Sequence, residues 1–163
     1  MSRSELGWRL EPEGPADLSF VQRLCAEIKA EDFVQAQLEP AALTRILDQQ
    51  FHAQNVHLTL HYPDLERSLI WLDDQPVGRL YCLRQRPVWR LVEIGLLADH
   101  RGHGLGQAVI AQLLDQARKA GADGVSLSVA ITNVRARALY QRLGFRLMTP
   151  PDRYHLEMLC AFS

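Results

Sequence analysis

Apolar positions along this chain follow two periods, and the switches between them lay out its elements. Trp8-Arg9-Leu10 reads as a short first strand, closed by the turn-forming run Glu11-Pro12-Glu13-Gly14-Pro15. From about Asp17 to Ala30, Leu18, Val21, Leu24, Cys25 and Ile28 recur at helical spacing, and Asp17 or Ser19 is available as a cap. Pro40 suits the first turn of a second helix, whose Leu43, Ile46, Leu47 and Phe51 form another stripe. Val56, Leu58, Leu60 and Tyr62 alternate as a strand would, yet no turn signal separates them from that helix. A helix running until just before Pro63 is therefore expected.

Beyond Pro63 the period shortens. Ser68–Leu72 and Val77–Leu83, joined through Asp73-Asp74-Gln75-Pro76, read as a hairpin, and Val88–Leu97 as a third strand. A helix carried by Ala108, Val109, Leu113, Leu114 and Ala117 stops at Gly121. Gly124–Ala130 reads as a buried strand, Asn133–Leu143 as a short helix ended by Gly144, and Phe145–Met148 and Tyr154–Leu159 as two last strands. The fold class expected is mixed α/β or α+β, as a single domain over residues 1–163.

Composition narrows the function classes. Hydrophobic residues at 47% and charged residues at 23% are ordinary globular usage, so unaided folding is expected. Eighteen Lys and Arg against nineteen Asp and Glu give a net charge of -1, which argues against nucleic acid or anionic lipid as partners. Cys25, Cys82 and Cys160 form no CxxC pair, so neither a disulfide framework nor a thiolate zinc site is suggested, and a reducing cytoplasm fits. The opening residues show no apolar signal core, and no run of ~18 apolar residues suits a membrane span. His57-x-x-x-His61 has metal spacing but lacks the Glu of H-E-x-x-H, and no metal is expected.

The most informative segment runs from Glu93 to Gly106: a strand feeding a glycine-rich turn that opens a helix. Gly102, Gly104 and Gly106 leave successive backbone N–H groups uncovered at a helix N-terminus, where partial positive charge collects, so a pyrophosphate could be held by main chain alone. Arg101 adds a full charge beside it. The dinucleotide fingerprint G-x-G-x-x-G fails in both registers, since Gln107 or Val109 falls at its last place, and no Gly-Lys-Ser or Gly-Lys-Thr supplies a P-loop. The plainer reading is a turn rich in glycine for tightness only.

Arg101-x-x-Gly104-x-Gly106 resembles the acyl-CoA pyrophosphate loop of the GNAT (GCN5-related N-acetyltransferase) superfamily. The block from Asn133 to Phe145, with Asn133, Ala136, Tyr140 and the terminal Gly144-Phe145, is similar to that superfamily's other signature. The resemblance extends over nearly the whole element order from Trp8 to Leu159. It implies the GNAT acyl-CoA N-acyltransferase fold, a central mixed, mostly antiparallel sheet flanked by helices, with no strand at residues 56–62.

The resemblance also implies a site. Ile94, Gly95, Leu96 and Leu97 take the place where strand backbone binds pantetheine and polarises the thioester carbonyl, and Gly95 would ease a bulge. Arg101, Gly102, His103, Gly104, Leu105, Gly106 and Gln107 take the pyrophosphate loop. Asn133, Arg135, Ala136 and Tyr140 belong to the second half of the cofactor site, although Asn133 would equally serve as a plain helix cap. Tyr140 matches the acid that protonates the departing thiolate, and Glu93 is the first candidate base, with His155 behind it. Acetyl-CoA is the implied co-substrate, and the reaction is transfer of acetyl to a primary amine by direct attack in a ternary complex.

The acceptor is expected to be chosen by residues 17–62 and by the loop Thr149–Arg153, with Glu27, Glu31 and Asp32 drawing a cationic amine. A homodimer is compatible with this reading. A toxin acting on charged tRNA is disfavoured by the neutral charge balance. The rival from another class is a non-catalytic acyl-CoA sensor or interaction module of the same fold.

Overall fold

A computed structural model describes residues 7–148 and 154–163 of the chain. Seven strands, β1 (Trp8–Pro12), β2 (Glu66–Leu72), β3 (Gln75–Leu83), β4 (Val88–Leu96), β5 (Gly124–Ala130), β6 (Arg146–Leu147) and β7 (His155–Ala161), form a sheet in the order β1-β2-β3-β4-β5-β7-β6. The helices are α1 (Leu18–Ala30), α2 (Pro40–His61), α3 (Leu105–Lys119) and α4 (Val134–Arg142). β1 and β2 pair antiparallel, as do β5 with β7 and β6 with β7, whereas β4 and β5 pair parallel. The class is the mixed α/β sheet with helices that the patterning predicts.

The described residues divide into two compact units, one of residues up to Tyr81 with Ile94–His103, the other of Cys82–Glu93 with residues from Gly104 on. In the first, α1 buries Val21, Leu24 and Cys25 of the stripe read from the sequence, leaves Leu18 exposed at its first turn and Ile28 half-buried, and packs against α2. Val21, Cys25 and Leu69 form a core cluster closed by Phe20, Phe51 and Trp71. α2 is helical to His61, so the alternating run at residues 56–62 follows the helix it continues rather than its own period. Only Leu58 of α2 is fully buried. In the second unit, Val109, Ile110, Leu113 and Ala117 of α3 lie fully buried, and α3 packs on β5.

Boundaries differ where the sheet edge decides them. β1 runs on through Pro12, which pairs with Ser68, because an edge strand tolerates a residue that cannot donate on its outer side. β6 holds only Arg146 and Leu147, a short edge that ties to Leu159 and Met158. Asp17 caps a 3-10 turn rather than α1: its carboxylate accepts the Gly14 N–H at 2.8 Å while its own N–H donates to the Gly14 carbonyl. A second 3-10 segment, Glu31–Ala36, was not predicted; it ends on Gln37 at φ +51. β3 and β4 approach closely beside α1. A Cβ placed on Gly78 would lie 2.4 Å from the Gly95 carbonyl oxygen, and one on Gly95 would lie 2.6 Å from Cδ1 of Ile28. Gly95 thus makes room for α1.

Candidate active site

The first group of expected site residues sits at the end of β4. The Leu97 N–H donates to the Val77 carbonyl at 2.8 Å, so it points towards β3. Successive backbone groups of a strand point to opposite sides, so the Leu96 and Ile94 N–H groups point away from β3. The Leu96 carbonyl agrees with that alternation, since it accepts from Arg101 Nε at 3.0 Å. Of the four residues the resemblance assigns to the thioester, Ile94 and Leu96 therefore direct their N–H groups away from β3, and Leu97 is committed to it.

The loop after β4 is fastened to α1 and to the 3-10 segment that follows it. The Ala98 N–H donates to Glu27 Oε1 at 2.6 Å, and Arg101 Nη1 donates to Glu31 Oε1 at 2.5 Å. Glu27 and Glu31, expected to draw a cationic amine, are thus engaged as tethers, which leaves Asp32 as the third acid of that set. Arg101 Nη2 is buried with no hydrogen-bond partner among the described residues. The Arg101–Glu31 pair is half exposed on the carboxylate side, the setting in which an ion pair contributes only about 0–1 kcal/mol.

Gly102 and Gly104 both adopt left-handed backbone, φ +78 and +83, and a Cβ on either would meet nothing within 4 Å. Glycine is needed there for conformation, not for space, because an L side chain is strained at such φ. Gly104 is the N-cap of α3 and supplies no side-chain cap. The first intrahelical bond of α3 runs from the Ala108 N–H to the Gly104 carbonyl at 3.0 Å. The N–H groups of Leu105, Gly106 and Gln107 come before it, in the stretch where helix donors lack intrahelical partners. His103 is exposed, and Leu105 is buried as the first anchor of α3.

The second unit joins the two expected catalytic residues. Tyr140 lies on α4 at 8% exposure, edge-on to Phe145 with ring centroids 5.7 Å apart. Burial pushes its phenol up to about 12, and the Glu93 carboxylate adds to the rise, so the two residues feel one another. Asn133 Oδ1 accepts the Ala136 N–H at 3.2 Å, so the side chain is used as the cap of α4. Arg135 is exposed beside it, and so is His155 at the start of β7.

His57 and His61 stack with centroids 4.1 Å apart, and among the described residues no group of three His, Cys, Asp or Glu side chains could hold a metal. All three cysteines are buried and none is in a disulfide among the described residues, and burial raises the Cys160 thiol. No helix among the described residues is long and apolar enough to cross a membrane. The loop Thr149–Arg153 lies outside the described residues. Sequence reasoning missed the tethering by Glu27 and Glu31, since partners 70 or so positions apart leave no local signal.

The family model for the acetyltransferase (GNAT) family matches residues 25–145. An uncharacterised N-acetyltransferase of Methanocaldococcus jannaschii is 35% identical over 81 residues, 45% of this chain and 36% of that protein. The ribosomal protein bS18-alanine N-acetyltransferase of Escherichia coli is 35% identical over 65 residues, 40% of this chain and 44% of that protein. The matches thus span between about a third and somewhat over half of such relatives' length. In fold, the chain is similar to the PaiA N-acetyltransferase of Thermoplasma acidophilum, crystallised with coenzyme A (TM-score 0.72, 12% identity, 95% of this chain and 99% of that one). It is also similar to the spermidine N-acetyltransferase of Vibrio cholerae in complex with CoA and spermine (TM-score 0.67, 17% identity, 95% of each chain). With the family model covering most of its length and the same sheet and helices in place, the chain belongs to the acetyltransferase (GNAT) family.

Proposed function

We propose that the protein is an N-acetyltransferase that moves an acetyl group from acetyl-CoA to a primary amine by direct attack. The observation that carries this reading is the buried Tyr140 phenol coupled to the Glu93 carboxylate, an acid and a base within electrostatic reach in one unit. Acetyl-CoA supplies the activated acyl group as a thioester and, in its pyrophosphate, the anion for which main-chain donors exist. The residues suit such a group: the α3 N-terminus offers the uncapped N–H groups of Leu105, Gly106 and Gln107, and nothing crowds the glycines before it. Arg101 would join by exchanging its weak, half-exposed partner Glu31 for phosphate oxygens, giving its buried Nη2 an acceptor. The Leu96 and Ile94 N–H groups serve as the backbone donors on β4.

Proton movement follows from the acid and base. An acceptor ammonium must lose a proton before it is nucleophilic, and Glu93 takes it, directly or through water. Tyr140 holds the proton that the departing thiolate needs. A phenol at about 12 facing a thiol near ~8.5 makes full transfer uphill by roughly 5 kcal/mol. Protonation of Glu93 removes one of the two causes that hold the phenol up, so the acid strengthens once the base has acted. Acceptor choice is assigned to Asp32 and the 3-10 segment Glu31–Ala36, with a cationic amine as the class; the spermidine and alanine enzymes among the related proteins act on amines.

Tyr140→Phe tests the reading. The variant is expected to bind acetyl-CoA as the parent does and to lose about 100-fold or more in acetyl transfer, the usual worth of a positioned acid. Full transfer by the variant would remove Tyr140 from the chemistry. Binding by the parent without turnover of any amine would instead support an acyl-CoA sensor.

A further inference from the structure

Arg101 faces two conflicting demands. Its Nη1 donates to Glu31 Oε1 at 2.5 Å and its Nε to the Leu96 carbonyl at 3.0 Å, while Nη2 is buried with no hydrogen-bond partner among the described residues. As the cation beside the glycine-bearing turn, it must also offer donors and charge to phosphate oxygens. A guanidinium has several N–H groups but a single charge, and a carboxylate already on it weakens the attraction left for phosphate. Glu31 is therefore a competitor of the cofactor as well as a tether.

The two partners differ in their freedom to leave the pair. The Arg101 side chain is 31% exposed and is fastened through Nε to β4, whereas the Glu31 side chain is 61% exposed. Glu31 also stands where α1 gives way to the 3-10 segment Glu31–Ala36, next to the exposed Asp32. Glu27 is a tether of another kind, since it holds the backbone N–H of Ala98 and draws nothing from Arg101. Glu31, Asp32 and Arg101 all belong to the first unit.

On the acetyl-transfer reading, on which this rests, we propose that Glu31 couples the two substrates: its carboxylate holds Arg101 until a cationic amine takes it in exchange, so that amine and acetyl-CoA each strengthen the binding of the other. Without an amine, Glu31 and the CoA phosphates draw on the same guanidinium. With an ammonium beside Glu31 and Asp32, the Glu31 charge is met and Arg101 is left to phosphate. Conversely, phosphate on Arg101 releases Glu31 to join Asp32 at the start of the segment assigned to the acceptor. Linkage makes the two effects one factor, limited to about two- to fivefold by the strength of a half-exposed ion pair. A neutral acceptor offers Glu31 no charge and gains nothing, so the exchange favours cationic amines.

Calorimetric titration of the full chain with coenzyme A, which has no acetyl group to transfer, tests the proposal. Glu31→Gln frees Arg101 and is expected to bind coenzyme A about two- to fivefold more tightly than the parent, the opposite of what loss of a purely structural tether would do. Asp99→Asn removes the same charge two residues from Arg101, with which Asp99 forms no ion pair among the described residues, and should tighten coenzyme A less. Both positions are exposed, so neither variant disturbs the core. Spermidine, as the cationic probe against sodium chloride of equal ionic strength, should favour coenzyme A binding about two- to fivefold more in the parent than in Glu31→Gln. Any pairing of spermidine with coenzyme A in solution is common to both. Equal or weaker coenzyme A binding by Glu31→Gln, equal tightening by Asp99→Asn, or an equal effect of spermidine on parent and Glu31→Gln would each overturn the proposal and leave the acetyl-transfer reading standing. Failure of the parent to bind coenzyme A would overturn that reading, and the proposal with it.

Discussion

Tyr140 and Glu93 show how one residue's environment sets another's chemistry. The phenol is held up first by burial and second by the Glu93 charge, so Glu93→Gln is expected to lower its titration midpoint while leaving it above the usual 10 for tyrosine, because the larger cause remains. A spectroscopic phenolate titration of the variant against the parent, with Tyr140→Phe to identify the signal, measures this. An unchanged midpoint would mean that Glu93 does not act on Tyr140. Both residues were legible in the sequence because they sit at fixed places beside the two glycine-bearing blocks. Arg101 was legible as a cation and not as the partner of Glu31, since that contact depends on an unpredicted 3-10 turn. Arg79 carried a signal that went unread: a lone charge inside the apolar run Val77–Leu83, in phase with Tyr81 on a strand whose middle is buried throughout.

At the scale of elements, the helices were the clearest part of the sequence. Proline, glycine and the Asn133 cap mark their ends, and the 3.6-residue stripe is long enough to outweigh the local alternation at residues 56–62. Strand ends were less legible, because pairing at an edge decides them, as at Pro12 and at the two-residue β6. The close passage of β3 and β4 was not legible at all: Gly78 reads as an ordinary glycine in a strand. Gly78→Ala would set a methyl 2.4 Å from a backbone oxygen, which cannot swing aside as a side chain can. A loss of about 1–3 kcal/mol or more in denaturant unfolding is expected. Gly95→Ala meets only the flexible end of Ile28 and should cost less. Equal losses would contradict the assignment of the tight contact to the strand backbones.

Across the whole molecule, two buried phenols link stability to alkaline pH. Tyr81 and Tyr140 each rise from 10 to about 12 on folding, and burial is the largest cause for both. Between those values the unfolded chain has lost a proton that the native one keeps, so the unfolded state binds fewer protons and stability falls as pH rises. The contribution is full below pH ~10 and gone above ~12, on the order of 2–3 kcal/mol for each tyrosine. Denaturant unfolding at pH 9 and about 11 should show the drop, and Tyr81→Phe or Tyr140→Phe should each flatten it; a pH-independent midpoint would contradict the burial of both hydroxyls.

The family and the element order could be read from two motifs and their separation, yet the acceptor could not, since it depends on surfaces such as Asp32 and the second 3-10 segment that follow no periodic pattern. The claim on which the functional account stands is that the chain takes acetyl-CoA. The most direct test is the thermal unfolding midpoint of the full chain with and without acetyl-CoA. Binding to the native state alone adds ~2.7 kcal/mol at ~100 times the Kd, so a clear upward shift is expected. No shift with millimolar acetyl-CoA would mean that the turn before α3 holds no CoA, and the proposed transfer would fall with it.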